Sequence, residues 1–446
     1  MMEGFQAYVE ANRDRFIEEL AALCAQPSIA AQGIGLEETA AMVEGRLTRL
    51  GARVQRYVIG GGAPILCAEM GQGKRTLLVY NHYDVQPADP LDEWESPPFG
   101  LTLRDGRLYA RGVADDKGDL MCRLQAIEAY QASVGPLPLR IKFLIEGEEE
   151  VGSPHLAAFA ERYPALIEAD GCLWETGGKD TAGRFLLELG VKGLCYLELT
   201  VRTASSDLHS MWGAVVPDAA WRLAWALNTL KDASERILVD GFMERVRPPT
   251  EAELAHLATI PFDEEQTKKD FGISGFVLGL SGVNLLAKHF YGPTCTISGI
   301  RSGYIEQGVK TVLPCAAMAK VSFRLVPELT PELVVELVRE HLAKRGLADV
   351  DVRLLGGMMP ARSPMDSPFV QACAEAARAT YGAEPIVYPT SPGSGPLYQV
   401  CRKTPAVTAG VSHANCRIHA PNENVFLEDY LQGIRFVGEV IQRFAR

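Results

Sequence analysis

Three consecutive acids, Glu148, Glu149 and Glu150, stand between the run Phe143-Leu144-Ile145 and the turn Val151-Gly152-Ser153. Like charges at the end of an apolar strand repel one another, so the arrangement is unfavourable unless a cation or a proton resides among them. The triplet is therefore a candidate metal and acid-base site. Three other stretches carry residues of matching type. Asn81-His82-Tyr83-Asp84 follows a predicted strand, where period-two alternation turns His82 and Asp84 to one face. One can then ligate while the other orients it, because ligating histidines usually donate their second N–H to an acceptor. A histidine at a strand end equally serves as a hydrogen-bonded core residue. Asp115 and Asp116 open a predicted helix, where capping and the helix dipole offer another use for adjacent acids. The polar segment from Val411 to Asn424 carries His413 and His419, as ligands or as members of a solvated loop.

Such groups need a scaffold that brings distant segments together. Leu77-Leu78-Val79-Tyr80 and Leu139 to Ile145 read as buried strands, and Lys117 to Tyr130 as a helix between them with Leu120, Leu124 and Ile127 on one face. This βαβ-like alternation belongs to an α/β layer fold. From Gly193 the character changes. Leu194 to Val201, Ala319 to Leu325 and Val350 to Leu355 read as strands, and Pro217 to Leu230 and Pro331 to Arg345 as helices. Lys231 to Asp270 is charge-rich and of low strand propensity. Pro360 and Pro364 mark an expected linker, after which two helices flanking short strands close the chain.

With 446 residues the chain exceeds one hydrophobic core, and two or three domains are expected. A net charge of -12 repels phosphate backbones and anionic lipid, so neither nucleic acid nor a membrane is an expected partner. The ten cysteines are scattered without a Cys-x-x-Cys pair, which fits a reducing cytoplasm better than a disulfide framework or a zinc ribbon. Acids at helical spacing in the first 23 residues do not read as a signal peptide. No stretch approaches the ~20 apolar residues of a membrane span. There is no His-Glu-x-x-His, no Gly-x-Ser-x-Gly and no phosphate loop ending in Gly-Lys-Ser or Gly-Lys-Thr.

Four motifs, taken in order and spacing, carry a resemblance. They are His82-x-Asp84, Arg111-Gly-x-x-Asp115-Asp116-Lys117-Gly118, Glu149-Glu150-x-Gly152-Ser153 and His419-x-x-Asn422-Glu423. Over essentially its whole length the chain resembles the co-catalytic zinc metallopeptidases that include acetylornithine deacetylase, succinyl-diaminopimelate desuccinylase, carboxypeptidase G and the cytosolic and carnosine dipeptidases. The resemblance implies an α/β, mixed-sheet catalytic domain with helices on both faces, formed by residues 1–192 and 359–446. It implies an inserted α+β lid or dimerisation domain at 193–358. It further implies two Zn2+ per subunit, at sites whose ligands also accept Mn2+ or Co2+. His82 and Glu175 would hold one ion, Glu150 and His419 the other, and Asp115 would bridge both. Asp170 and Asp180 are alternatives to Glu175. Asp84 and Asp116 would support the ligands, and a cis peptide is implied between Asp115 and Asp116. Two such ions leave room for a shared water of lowered pKa, and Glu149 is then the general base.

Ser206-Asp207-Leu208-His209-Ser210 resembles the lid motif whose histidine, in dimeric members, reaches the neighbouring active site to steady the oxyanion. That gives His209 a catalytic role, with an ordinary loop histidine as the alternative. Arg324, within Val321 to Pro327, resembles the arginine whose guanidinium fork binds the substrate carboxylate. A surface salt bridge is its alternative use. Gly393 and Ser394 resemble the loop that completes the substrate pocket, although turn chemistry alone also explains them. The long lid favours the dipeptidase branch. The implied function is hydrolysis of the peptide bond in a dipeptide or short peptide with a free C-terminal carboxylate, by a homodimer formed through the lid. Deacylation or desuccinylation of an N-acyl amino acid is the alternative within this chemistry, and a non-catalytic metal-binding scaffold the alternative outside it.

Overall fold

Two separate apolar clusters divide the chain. The computed structural model describes residues 2–446, which form two compact units. The first comprises residues up to 190 together with 362–389 and 399–446, and the second comprises 191–361 and 390–398. The run 390–398 thus belongs with the second unit, although it lies beyond the expected bound at 358.

The first unit is built on an eight-stranded mixed sheet. Its order is Arg53–Tyr57, Ile65–Met70, Arg140–Glu146, Thr76–His82, Gly171–Trp174, Ala406–Thr408, Leu186–Glu188 and Ile386–Tyr388. Thr76–His82 pairs in parallel with both of its neighbours. Parallel pairing needs a crossover, and the helix Lys117–Ser133 lies in the connection between Thr76–His82 and Arg140–Glu146. Strands covered on both faces carry unbroken apolar runs, as Leu77 to Tyr80 and Gly171 to Trp174 do. Parallel strands also present their C-terminal ends at one edge. His82, Glu146 and Trp174 therefore end in a row, and the turns beyond them carry Asp84, the acidic triplet and Glu175.

The helix Lys117–Ser133 buries far more than the single expected face. Lys117 through Ile127 are all buried, because the helix packs against the helices Met2–Ala11, Arg13–Ala25 and Leu427–Phe444. The chain passes from the second unit back to the first between residues 361 and 362, inside the expected linker at Pro360 to Pro364. Ser363 is buried, its N–H bonding Leu189 O at 2.6 Å and its hydroxyl bonding Ala406 O at 2.7 Å. Pro360 is buried and Pro364 exposed on either side of it.

The second unit holds a four-stranded antiparallel sheet in the order Thr294–Ser302, Ala316–Leu325, Gly193–Arg202 and Asp351–Met358. Burial alternates along Gly193–Arg202 and Ala316–Leu325, so Cys195, Leu197, Leu199 and Val201 share one face with Ala317, Ala319, Val321 and Phe323. That face packs with the helices Ala219–Leu230 and Pro331–Lys344 in one core. The charge-rich stretch after Leu230 folds into the short helices Glu251–Leu257 and Glu264–Phe271, the first closed by a capping box of Thr250 and Glu253.

Candidate metal centre

Two imidazoles and a set of carboxylates meet at the row of strand ends in the first unit. His82 closes its strand and is buried. Its Nε2 lies 3.0 Å from Asp115 Oδ1 and 3.9 Å from Glu175 Oε2. The other Asp115 oxygen, Oδ2, lies 3.1 Å from His419 Nε2, which is itself 3.0 Å from Glu150 Oε2. One carboxylate therefore spans two groups, His82 with Glu175 and Glu150 with His419. Ligand atoms of His82, Asp116 and Glu175 lie within 4.8 Å of one another, as do those of Asp115, Glu150 and His419. Asp116 already spends Oδ2 on Asn81 Nδ2 at 2.6 Å and on the His82 N–H at 3.1 Å. It occupies the N-cap of Lys117–Ser133 without capping it, so helix capping does not account for these acids. The Asp115–Asp116 peptide is cis. Asp170 accepts the Thr76 N–H at 2.7 Å, at the opposite end of the His82 strand, and Asp180 closes a turn with Arg184.

Asp84 fixes two of these elements at once. Its Oδ1 lies 3.3 Å from His82 Nδ1, and the two carboxylate oxygens accept the N–H groups of Glu149 at 3.2 Å and Glu150 at 3.1 Å. A His82 proton on Nδ1 leaves the Nε2 lone pair free for a cation. The strand itself stops at His82, and Asp84 stands two residues beyond its end. Gln86 Nε2 donates to Glu150 Oε2 at 2.9 Å. His413 lies outside the cluster, buried with its Nε2 3.1 Å from Asn424 Oδ1.

The charges show what the cluster lacks. Burial pushes the Glu149 carboxyl up to about 7; His82 opposes the rise, while Asp115 and Glu150 add to it. Burial, reinforced by Glu149, raises Glu175 well above the ordinary carboxylate range. Hydrogen bonds to Asp115 and Glu150 raise His419 to about 10. Burial alone would raise Asp115, yet its hydrogen bonds with His419 and His82 outweigh that and hold it well below the usual range. Glu150 Oε1 and Glu175 Oε2 are buried and have no hydrogen-bond partner among the described residues. Buried carboxylate oxygens left without partners are costly. One imidazole and carboxylate oxygens on either side of a shared carboxylate suit divalent transition ions, so these residues fit a metal centre.

In the second unit Arg324 Nη1 donates to Ser394 Oγ at 2.5 Å, and Ser394 Oγ donates to Gly193 O at 3.1 Å. Gly393 N–H bonds Ser391 Oγ at 3.3 Å. His209 is exposed, its Nδ1 accepting the Met211 N–H at 3.1 Å and its Nε2 lying 3.3 Å from Thr311 Oγ1.

Several supporting residues escaped the sequence reading. Glu423 stood in a motif without a role, yet it accepts Arg111 Nη1 at 2.6 Å and the N–H groups of Gly112, Ala114 and Asp115 at 3.1, 2.8 and 3.1 Å. It holds the turn that presents Asp115. Arg123 gave no signal inside a helical pattern, although its guanidinium donates to Tyr80 O, Asn81 Oδ1 and Trp174 O just behind two of the strand ends.

Fold and site together define a metal-dependent peptidase. The chain belongs to Peptidase family M20/M25/M40, whose profile matches residues 78–443. It is 29% identical to the Beta-Ala-His dipeptidase of Homo sapiens, over 98% of this chain and 91% of that protein. It is also 29% identical to the Cys-Gly metallodipeptidase dug1 of Schizosaccharomyces pombe, over 98% of this chain and 97% of that one. Among solved structures it is similar to the M20 family metallo-carboxypeptidase Sso-CP2 from Sulfolobus solfataricus, with TM-score 0.86 and 37% identity over 96% of this chain and 99% of that one. No described helix is long and apolar enough to cross a membrane.

Proposed function

We propose that the chain is a two-zinc peptidase that hydrolyses dipeptides, or short peptides with a free C-terminal carboxylate. The observation that carries this reading is Asp115, whose two oxygens each meet a different imidazole, at 3.0 and 3.1 Å. His82 and Glu175 would hold one ion, and Glu150 and His419 the other, with Asp115 between them. Bound there, two divalent ions supply charge that polarises the scissile carbonyl and acidifies water. Glu149 accepts a proton from the attacking water and delivers it to the leaving amine nitrogen, a task open to a carboxylate that stands next to ligand Glu150 and is not itself needed to hold an ion. The Arg324 guanidinium takes the substrate carboxylate in place of Ser394, and His209 steadies the oxyanion. The second unit serves as the lid, and exposed Met211, Trp212 and Val215 beside His209 support pairing of two copies through it. Ten free cysteines, nine of them buried, fit a reducing cytoplasm.

Removal of the C-terminal residue from longer peptides is a second reading, favoured by the 37% identity to a metallo-carboxypeptidase. A panel of dipeptides, tetrapeptides and N-acyl amino acids decides between them. Cleavage that falls steeply from dipeptides to tetrapeptides supports the first reading, and equal cleavage of tetrapeptides the second. Glu149→Gln should retain two zinc ions and lose turnover; unchanged turnover removes Glu149 as the base.

A further inference from the structure

Glu146, the last residue of its strand and buried, has no part in the chemistry above. Its Oε1 accepts two hydroxyls, from Tyr80 at 2.6 Å and Ser153 at 2.9 Å. Each donor belongs to an element that presents the centre. Tyr80 lies two residues before His82, and its ring stacks on Trp174, immediately before Glu175, at 3.7 Å between centroids and 4° between planes. Ser153 ends the turn that carries Glu149 and Glu150. It is buried at φ +50°, follows Gly152 at φ +88°, and its N–H bonds Glu148 O at 2.9 Å. Asp84 grips the front of this turn through two N–H groups, but nothing on Asp84 restrains the far end. A residue at positive φ is held there only when its surroundings fix it.

We infer that Glu146 is a positioning residue for the proton acceptor: through Ser153 it clamps the far end of the Glu149–Val151 turn, and through Tyr80 it locks that clamp to the strands that deliver His82 and Glu175. The inference rests on Glu149 acting as the base. Because both donors converge on one oxygen, an amide oxygen can replace the carboxyl. Burial also pushes the Glu146 carboxyl up to about 8, so the side chain is mostly neutral in the folded protein at pH 7.

The test uses the full-length zinc-loaded enzyme and its apo form. Glu146→Leu should lower kcat about 10- to 100-fold while KM stays within about twofold, and should weaken zinc binding to the apo protein by a similar factor in calorimetric titration. Glu146→Gln should restore most of both. Should Glu146→Leu not fold, Ser153→Ala and Tyr80→Phe each remove one donor; Ser153→Ala should then carry the larger kcat loss. A Glu146→Gln as impaired as Glu146→Leu, or kcat and zinc affinity unchanged in Glu146→Leu or in Ser153→Ala, would overturn the inference. Glu149→Gln, run alongside, separates the two claims: if it keeps turnover the base assignment fails, whereas if it alone is dead Glu146 has no positioning role.

Discussion

Glu423→Gln probes the support beneath Asp115. Arg111 and Glu423 form an ion pair at 2.6 Å with both side chains 1% exposed, and the remaining carboxylate capacity goes to three backbone N–H groups. A glutamine keeps one acceptor oxygen and turns the other position into a donor. In one amide orientation that donor faces Arg111 and the Gly112 N–H; in the other it faces the N–H groups of Ala114 and Asp115. Either way the buried guanidinium loses its counter-charge. Breaking a buried pair from one side costs about 3 to 5 kcal/mol, a large share of the roughly 5 to 15 kcal/mol that stabilises a typical protein. Urea unfolding followed by circular dichroism should register that loss. Slack in the Asp115 turn should also weaken zinc binding by about 10- to 100-fold. Arg111→Met combined with Glu423→Gln should lose less than the sum of the single variants, because the double variant leaves no unpaired charge. A loss below about 1 kcal/mol in Glu423→Gln, or strict additivity in the pair, would refute the reasoning.

Arg324→Met should raise KM at least tenfold for substrates with a free C-terminal carboxylate and leave kcat nearly unchanged, since a charge-assisted hydrogen bond contributes about 1.5 to 3 kcal/mol; an unaltered KM would remove Arg324 as the anchor. Burial pushes the Glu188 carboxyl up to about 7 from an ordinary 4.5. The folded protein thus keeps a proton that the unfolded chain releases, so this contribution is full below pH 4.5 and is lost as pH rises through 7. The shift corresponds to at most about 3 kcal/mol by pH 8. Glu188→Gln should therefore be stabilised relative to the parent at pH 8 more than at pH 5, as read from urea midpoints; an equal difference at both pH values would contradict this.

Short motifs made much of the centre legible. His82 with Asp84, Asp115 with Asp116, and Glu149 with Glu150 each sit within a few residues of one strand end or helix start, so local spacing displays them. Glu175 belongs to no such motif, and only the parallel strand Gly171–Trp174 brings it beside His82. Arg123 and Glu423 act through contacts far apart in sequence, which no local pattern encodes. The βαβ core was readable because Thr76–His82 and Arg140–Glu146 are apolar and buried. Arg53–Tyr57 and Thr294–Ser302 were not, since both are edge strands exposed along most of their length and offer no alternation to read.

Asp115 is proposed to stand between two metal ions. Anomalous scattering measured on either side of the zinc edge, from crystals of the zinc-loaded enzyme, tests it most directly. Two peaks should flank the Asp115 carboxylate, one beside His82 and Glu175 and the other beside Glu150 and His419. A single peak, or peaks away from Asp115, would contradict it.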